Sequence, residues 1–305
     1  MKFPTDLFMH TEYFAPRGQE RLMTLGSQIA FQHLKPTDKC IGILGQAGSG
    51  KSLLVRGLFP GLQLTNDDEE VYTRPLPLLD HYENGRFKFL TYHMDAKFEM
   101  AFAQPWRLAE AITAAIAAER RVVIEHFDLL APVLGRNADL LVGIGEEVVV
   151  VRPNLFGPSP ASLARHLFAS SVYRRMVHTA EDIICDLLDR DYQIPTSTLI
   201  HGDVTRGFFL EFHEKPGFSI AQLQENAQKI IRAGVPVAYE DETHIRMGER
   251  RIHCTGPRIH LTNTSDIKFF ALAPEFIFHP VHQTWLLVGI VDEERMKDLN
   301  DINKF

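Results

Sequence analysis

The run Gly45-Gln46-Ala47-Gly48-Ser49-Gly50-Lys51-Ser52 matches G-x-x-x-x-G-K-[ST] at every fixed position. Each residue type has a task at that spacing. Glycines let backbone N–H groups turn inward around phosphate oxygens, and the N-terminus of a following helix adds partial positive charge. Lys51 reaches the terminal phosphates and Ser52 can ligate Mg²⁺. The pattern predicts that residues 45–52 cradle a nucleotide, ATP or GTP, taken up with Mg²⁺. An acid at the end of an apolar strand must complete the metal's coordination. VVIEHFD offers Glu125 and Asp128, of which Glu125 directly follows the hydrophobic run and is preferred. TYHMDAKFE places Asp95 at another strand end, where it could accept a proton from a hydroxyl substrate. Lys51, Asp95 and Glu125 are therefore the candidate catalytic residues, and Ser52 and Glu125 the candidate Mg²⁺ ligands. Arg74, Arg86 and Arg136 are loop candidates for a closing cation. Thr65, Asn66, Asp67 and Asp68 read either as a substrate or metal contact or as a solvated acidic turn.

A second constellation lies downstream. In MVHTAEDIICDLL, His178 and Asp182 are i and i+4 and Cys185 is i+7, so one helix face carries all three. In CTGPRIHLTNTSDIKFFAL, Cys254 and His260 sit on a turn between two expected strands. His178, Asp182, Cys254 and His260 have the ligand types of a four-coordinate Zn²⁺ site. The competing reading is a packed core, because cysteine is among the most buried residues and a helix histidine facing a sheet commonly hydrogen-bonds there.

These side chains need strands and helices to position them. The segment 17–35 has helical spacing of Leu22, Leu25, Ile29, Phe31 and Leu34. CIGILG (40–45) reads as a buried strand and KSLLVRGLF as the helix after it. FKFLTYHMD (87–95) and RVVIEHFDLL (121–130) read as strands, WRLAEAITAAIAAER (106–120) as a helix, and DLLVGIGEEVVVV (139–151) as one or two further strands. Such alternation predicts an α/β domain with a parallel sheet. RPNLFGPSP (152–160) is dense in proline and glycine, and it sets the expected boundary between domains 1–157 and 158–305. Beyond it LARHLFASSVYRRMVHTAEDIICDLLDR reads as a helix. GFFLEFH, KFFALA and WLLVGIV read as strands and SIAQLQENAQKIIRAG as an amphipathic helix, which predicts an α+β domain.

Composition sets outer limits. The chain has 305 residues, 45% hydrophobic and 23% charged, ordinary values for globular protein. A formal charge of −7 gives no global footprint for nucleic acid, so no DNA partner is expected. Any RNA contact needs a local basic patch, for which RHLFASSVYRR (165–175) stands against the alternative of a solvated helix face. Cys40, Cys185 and Cys254 are too few for a disulfide framework, and no run approaches a membrane span. The expected location is cytoplasmic.

The GxxGSGKS loop, strand-end Asp95 and the IEHFD strand together resemble the uridine kinase and phosphoribulokinase branch of P-loop proteins. This resemblance covers roughly the first 150 residues and implies a kinase-like or NTP-hydrolysing domain. RMVHTAEDIICDLL resembles the histidine helix of the second additional domain, the editing domain of alanyl- and threonyl-tRNA synthetases. GDVTRGFFLEFHEKPGFSIAQLQENAQKIIRAGVPV and CTGPRIHLTNTSDIKFFAL are similar to that domain's next segments, in the same order. By position, His178, Cys254 and His260 carry over as site residues, and the implied ligand is an amino acid or aminoacyl-tRNA. Two departures stand out: Asp182 replaces the second helix histidine, and Arg258 and Ile259 lengthen the Cys254–His260 turn. His253 or Cys185 could then substitute, or the site could take a small molecule without metal. Nothing resembles an aminoacylation core. Four functional readings follow: a P-loop NTPase or phosphotransferase coupled to a ligand-reading editing-type domain; a small-molecule or nucleoside kinase whose C-terminal domain is a lid or platform; a freestanding editing hydrolase regulated by nucleotide; and a non-catalytic sensor.

Overall fold

The computed structural model describes residues 9–65, 76–195, 198–241, 243–254 and 259–296. The chain forms two compact units. Unit 1 holds the described residues up to Tyr13 together with Glu20–Ala169, and unit 2 holds Phe14–Gln19 together with those from Ser170 onward. The units divide within a helix, between Ala169 and Ser170, rather than at 157/158, and the second unit also takes in a short segment near the start.

Unit 1 is built from β1 (His10–Phe14), α1 (Gln19–His33), β2 (Cys40–Gly45), α2 (Lys51–Leu58), α3 (Pro77–Glu83), β3 (Thr91–Asp95), α4 (Ala96–Glu99), α5 (Pro105–Ala117), β4 (Arg121–Glu125), α6 (Phe127–Leu134), β5 (Leu140–Ile144) and β6 (Glu147–Val151). Its sheet has the order β1-β6-β5-β2-β4-β3. β2 runs parallel to β4 and β5, and β3 runs parallel to β4, whereas β6 returns antiparallel to β5. Every residue of CIGILG is buried, as a strand covered on both faces requires. Pro105 opens α5, where its fixed φ suits the first turn and its missing N–H costs nothing.

Two expected strands are shorter than their apolar runs. Only Arg121–Glu125 of RVVIEHFDLL is extended, because His126 takes a left-handed φ of 54° and the chain turns at once into α6. The run from Phe87 pairs only from Thr91 onward. DLLVGIGEEVVVV is two strands, paired antiparallel. α1 meets α2 backbone to backbone: a Cβ at Gly57 would lie 2.1 Å from the Met23 carbonyl oxygen, and one at Gly26 2.5 Å from that of Leu54. The helix that follows the glycine loop is thereby held against its neighbour with no side chain between.

Unit 2 takes the greater part of α7 (Pro160–Tyr192), then β7 (Ile200–Val204), β8 (Gly207–Phe212), α8 (Ile220–Ala233), β9 (Val237–Asp241), β10 (His244–Met247), β11 (Arg250–His253), a 3-10 turn at Thr264–Asp266, β12 (Ala271–Leu272), β13 (Ile277–His279) and β14 (Thr284–Ile290). One sheet has the order β12-β14-β8-β7 with β13 on β14, the other β11-β10-β9. Their described pairings are antiparallel, giving the expected α+β character. α8 starts at Ser219, whose side chain accepts the Gln222 N–H, and stops at Gly234 with a left-handed φ of 65°. Ile183, Ile184, Leu187 and Leu188 of α7 pack with Phe208 and Leu210 of β8 and Leu223 of α8. At about 1.5–3 kcal/mol for each large apolar side chain buried, this cluster carries much of the unit's stability.

Helix α7 has 33 residues, longer than expected, and every residue from Met176 to Leu188 is buried. That stretch includes His178, Thr179, Glu181, Asp182 and Asp186. A helix buried all round must find partners for such groups, since an unpaired charge inside protein is costly. Those partners define the second site.

Candidate functional site

The parallel strands β2, β4 and β3 end together, so the glycine loop, Glu125 and Asp95 lie along one edge of the sheet, with Asp95 in register opposite Glu125. Gly45 has φ 149°, and a Cβ there would lie 2.7 Å from Ser49 Oγ and 2.9 Å from the Ile144 carbonyl oxygen. Gly50 precedes α2 with φ 96° and supplies no capping side chain.

Three groups converge on Glu125, which is 1% exposed. Ser52 Oγ donates to Glu125 Oε1 at 3.0 Å and Lys51 Nζ stands 3.9 Å from Oε2. The Thr65 N–H donates to His93 Nδ1 at 3.1 Å, so the neutral ring carries its proton on Nε2, which donates to Glu125 Oε1 at 3.2 Å. Burial would raise the Glu125 pKa, but His93, Lys51 and Ser52 outweigh it and hold the carboxylate ionised. Burial lowers the Lys51 pKa against the pull of Glu125 and Asp95. Lys51 also donates to the Gln46 carbonyl at 3.1 Å.

The sequence candidates of unit 1 sort accordingly. Ser52 and Glu125 present a hydroxyl and a carboxylate side by side, a donor set that fits Mg²⁺. Asp128 lies in the first turn of α6 and has a buried Oδ1 without a hydrogen-bond partner among the described residues. Asp95 Oδ1 accepts the Phe98 N–H at 3.1 Å and caps α4. Arg136 is tied to Asp139 at 2.9 Å and Arg86 is exposed. Arg74, Asn66, Asp67 and Asp68 lie outside the described residues. His93 and His126 are additions the motif did not announce. His126 is 8% exposed, and its pKa is lowered by burial and by Lys51. A cavity of about 240 Å³ beside His93 is lined by Gln63, Thr65, Pro77, Phe89 and Tyr92 among others.

In unit 2, Asp182, Cys254 and His260 have their ligand atoms within 4.8 Å of one another. His260 Nε2 is 2.8 Å from Asp182 Oδ2 and 3.6 Å from Cys254 Sγ. Thr179 accepts the Leu261 N–H at 3.0 Å and so anchors the segment that carries His260 to α7. Cys185 does not join this group. It pairs in space with Glu181 and His201, where His201 Nδ1 is 2.6 Å from Glu181 Oε1. His178 stands apart, fully buried, its Nε2 3.7 Å from Asp203 Oδ1 and its ring 6.0 Å from that of His260. Neither ring nitrogen has a hydrogen-bond partner among the described residues.

The centre of the cluster is a residue the sequence did not single out. Arg17, 5% exposed, donates through Nη1 to Glu181 and through Nη2 to Asp182, and Nη2 is also 3.5 Å from Cys254 Sγ. Its backbone N–H donates to Asp203 Oδ2 at 2.9 Å. Arg174 is likewise buried and donates to the Pro16 carbonyl at 3.4 Å, so the 165–175 segment is not a uniformly solvated basic face. Burial would raise the Asp182 pKa, but Arg17 and His260 bring it down to about 2. Burial would lower the His260 pKa, and hydrogen bonding to Asp182 and Cys254 raises it to about 9 instead. Burial and Glu181 push Asp203 up to about 6, and burial with Arg17 and Arg174 drives His178 well below the usual histidine range.

Fold and sites together define a two-unit chain: an α/β unit with a glycine loop at the carboxyl edge of its parallel strands, and an α+β unit built around buried ion pairs. No protein-family model matches the chain, and no curated protein matches it. Among the described residues no helix is long and apolar enough to cross a membrane.

Proposed function

We propose that the chain binds ATP or GTP with Mg²⁺ on residues 45–52 and cleaves or transfers the γ-phosphate, while unit 2 recognises an amino acid, an aminoacyl-tRNA or a related ligand. The observation that carries the nucleotide reading is the convergence of Lys51 and Ser52 on Glu125 beside an uncapped helix N-terminus. Ser52 and Glu125 would hold Mg²⁺, which supplies charge neutralisation of the β- and γ-phosphates. Lys51, only 3.9 Å from Glu125, balances that acid before nucleotide arrives and turns to the phosphates afterwards. His93 keeps Glu125 ionised and oriented through its Nε2–H. Calorimetric titration with ATP or GTP plus Mg²⁺ tests the reading: saturable heat is expected from the wild type and a loss of at least roughly 100-fold in affinity from Lys51→Ala. A folded wild type that gives no heat with either nucleotide ends it.

The kinase reading draws on Asp95 and the cavity next to His93. Asp95 shares the sheet edge with Glu125, and the cavity offers aromatic walls from Phe89 and Tyr92 to an organic acceptor. Asp95→Asn separates the two chemistries, since a hydroxyl acceptor needs a base there and water attack need not use it. Loss of phosphoryl transfer with phosphate release retained favours the kinase; equal retention of phosphate release with no acceptor found favours an NTPase.

For unit 2 the support is the meeting of Cys254 and His260, which carry over from the editing-domain resemblance, with Asp182, which replaces its second helix histidine. With the guanidinium of Arg17 among them, this donor set does not fit a Zn²⁺ ion as it stands, and no hydrolytic step is derived through one. The function it suits is recognition.

A further inference from the structure

We propose that Arg17 is a built-in cation standing in for a metal ion, and that it keeps the ligand set Asp182, Cys254 and His260 closed to divalent ions. The inference concerns unit 2 alone and holds whichever nucleotide reaction unit 1 performs. Its first support is geometric. The three donors have the spacing of a metal site, yet the positive charge at their centre is a guanidinium that bonds Asp182 Oδ1 and approaches Cys254 Sγ at 3.5 Å.

The second support is the shape of the cation. Glu181 and Asp182 are neighbours in sequence and belong to two different donor triads, Glu181/Cys185/His201 and Asp182/Cys254/His260. A planar fork reaches both carboxylates at once, one arm to each, which the single point charge of lysine does not. One side chain thus occupies both triads. The third is electrostatic: a divalent ion added beside a buried guanidinium would place like charges a few ångströms apart in a medium that screens them poorly. Metal and Arg17 are alternatives.

The fourth support is His178. It is fully buried, borders His260 and Asp203, and has no hydrogen-bond partner on either ring nitrogen among the described residues. Buried polar atoms are nearly always paired. Its ring stands 6.0 Å from that of His260, outside the triad, and brings an unused nitrogen donor to the border of the site. Removing Arg17 leaves Glu181 and Asp182 without its guanidinium and presents the three donors Asp182, Cys254 and His260 to an ion of matching charge, with His178 at their border.

The test uses the full chain and Co²⁺, whose thiolate complexes give a near-ultraviolet charge-transfer band and whose four-coordinate complexes absorb in the visible. Wild type is expected to show no thiolate band and no shift of Tm with Co²⁺. Arg17→Ala is expected to lose thermal stability, to bind one Co²⁺ per chain with the thiolate band, and to recover Tm on binding. That band should vanish in Arg17→Ala/Cys254→Ala and persist in Arg17→Ala/Cys185→Ala. Arg17→Gln, which keeps hydrogen bonds to the carboxylates, serves if the alanine variant does not fold. A wild-type band that Cys254→Ala removes overturns the proposal. So does a variant folded by circular dichroism that stays silent with Co²⁺, and so does failure of both variants to fold even when refolded with Co²⁺ present.

Discussion

Two cations, Lys51 in unit 1 and Arg17 in unit 2, face buried acids in opposite ways. Lys51 stands 3.9 Å from Glu125, whose other contacts go to Ser52 and His93. Arg17 is in direct contact with Glu181 and Asp182. In the first region the acid is satisfied largely without the lysine, which under the proposed function would be redeployed to an arriving polyphosphate. In the second each acid has one histidine contact and shares the arginine, whose charge is spent internally. A site meant to receive an external anion keeps its cation loosely engaged. A site whose cation is fully engaged is closed, and works by shape and hydrogen bonding or by exchange of that cation.

Denaturant unfolding in a cycle on Arg17 gives the largest effect that sharpens this contrast. Arg17→Ala leaves two buried carboxylates with only their histidine contacts, His201 on Glu181 and His260 on Asp182, and is expected to cost about 3–5 kcal/mol, whereas Arg17→Ala with Glu181→Gln and Asp182→Asn should recover much of it. Equal losses in the single and triple variants would erase the distinction between dependent and independent acids. Glu125→Gln tests the other side. It should weaken Mg²⁺-dependent nucleotide affinity roughly tenfold, the scale of one hydrogen bond to a charged group, while leaving Mg²⁺-free binding nearly unchanged. Calorimetry with and without Mg²⁺ reads the difference.

A smaller effect follows from pH. The His260 pKa is raised from 6.5 to about 9, so the folded state holds that proton more tightly than the unfolded one. Its contribution is fully present below the ordinary histidine value and is lost as pH climbs from there through about 9. Asp182 acts in reverse, its contribution being present above the ordinary aspartate value and lost as pH falls toward about 2. The expected alkaline loss in stability is about 1–3 kcal/mol, and His260→Gln should flatten it. Urea unfolding at neutral pH and above pH 9 provides the check, and an unchanged slope in the variant would remove His260 from the account.

How far the sequence foretold this depends on what kind of signal each part carries. The glycine loop was legible because its chemistry is local: eight consecutive residues specify the turn, the cation and the hydroxyl. The buried strands around it were legible from continuous apolar runs. Their ends were not, because His126 breaks the fourth strand by a backbone turn that no periodicity marks. Asp182 was singled out by helical spacing with His178 and Cys185, and Cys254 and His260 by residue type and the family resemblance. Arg17 could not, since APRGQ has no pattern and its partners lie more than 160 positions away. Glu181 and Cys185 follow the same physics: a turn of helix puts Cys185 as near Glu181 as Asp182, and only the fold decides which neighbour it meets.

The residues Phe14–Gln19 belong to unit 2 although the chain on either side of them belongs to unit 1. A fragment cut at the Pro-Gly run would therefore carry the acids of α7 without their counter-charge, and its instability would say nothing about the domain. During synthesis Arg17 leaves the ribosome long before Glu181, Asp182 and Cys254 exist, so these contacts cannot form until most of unit 2 has been made.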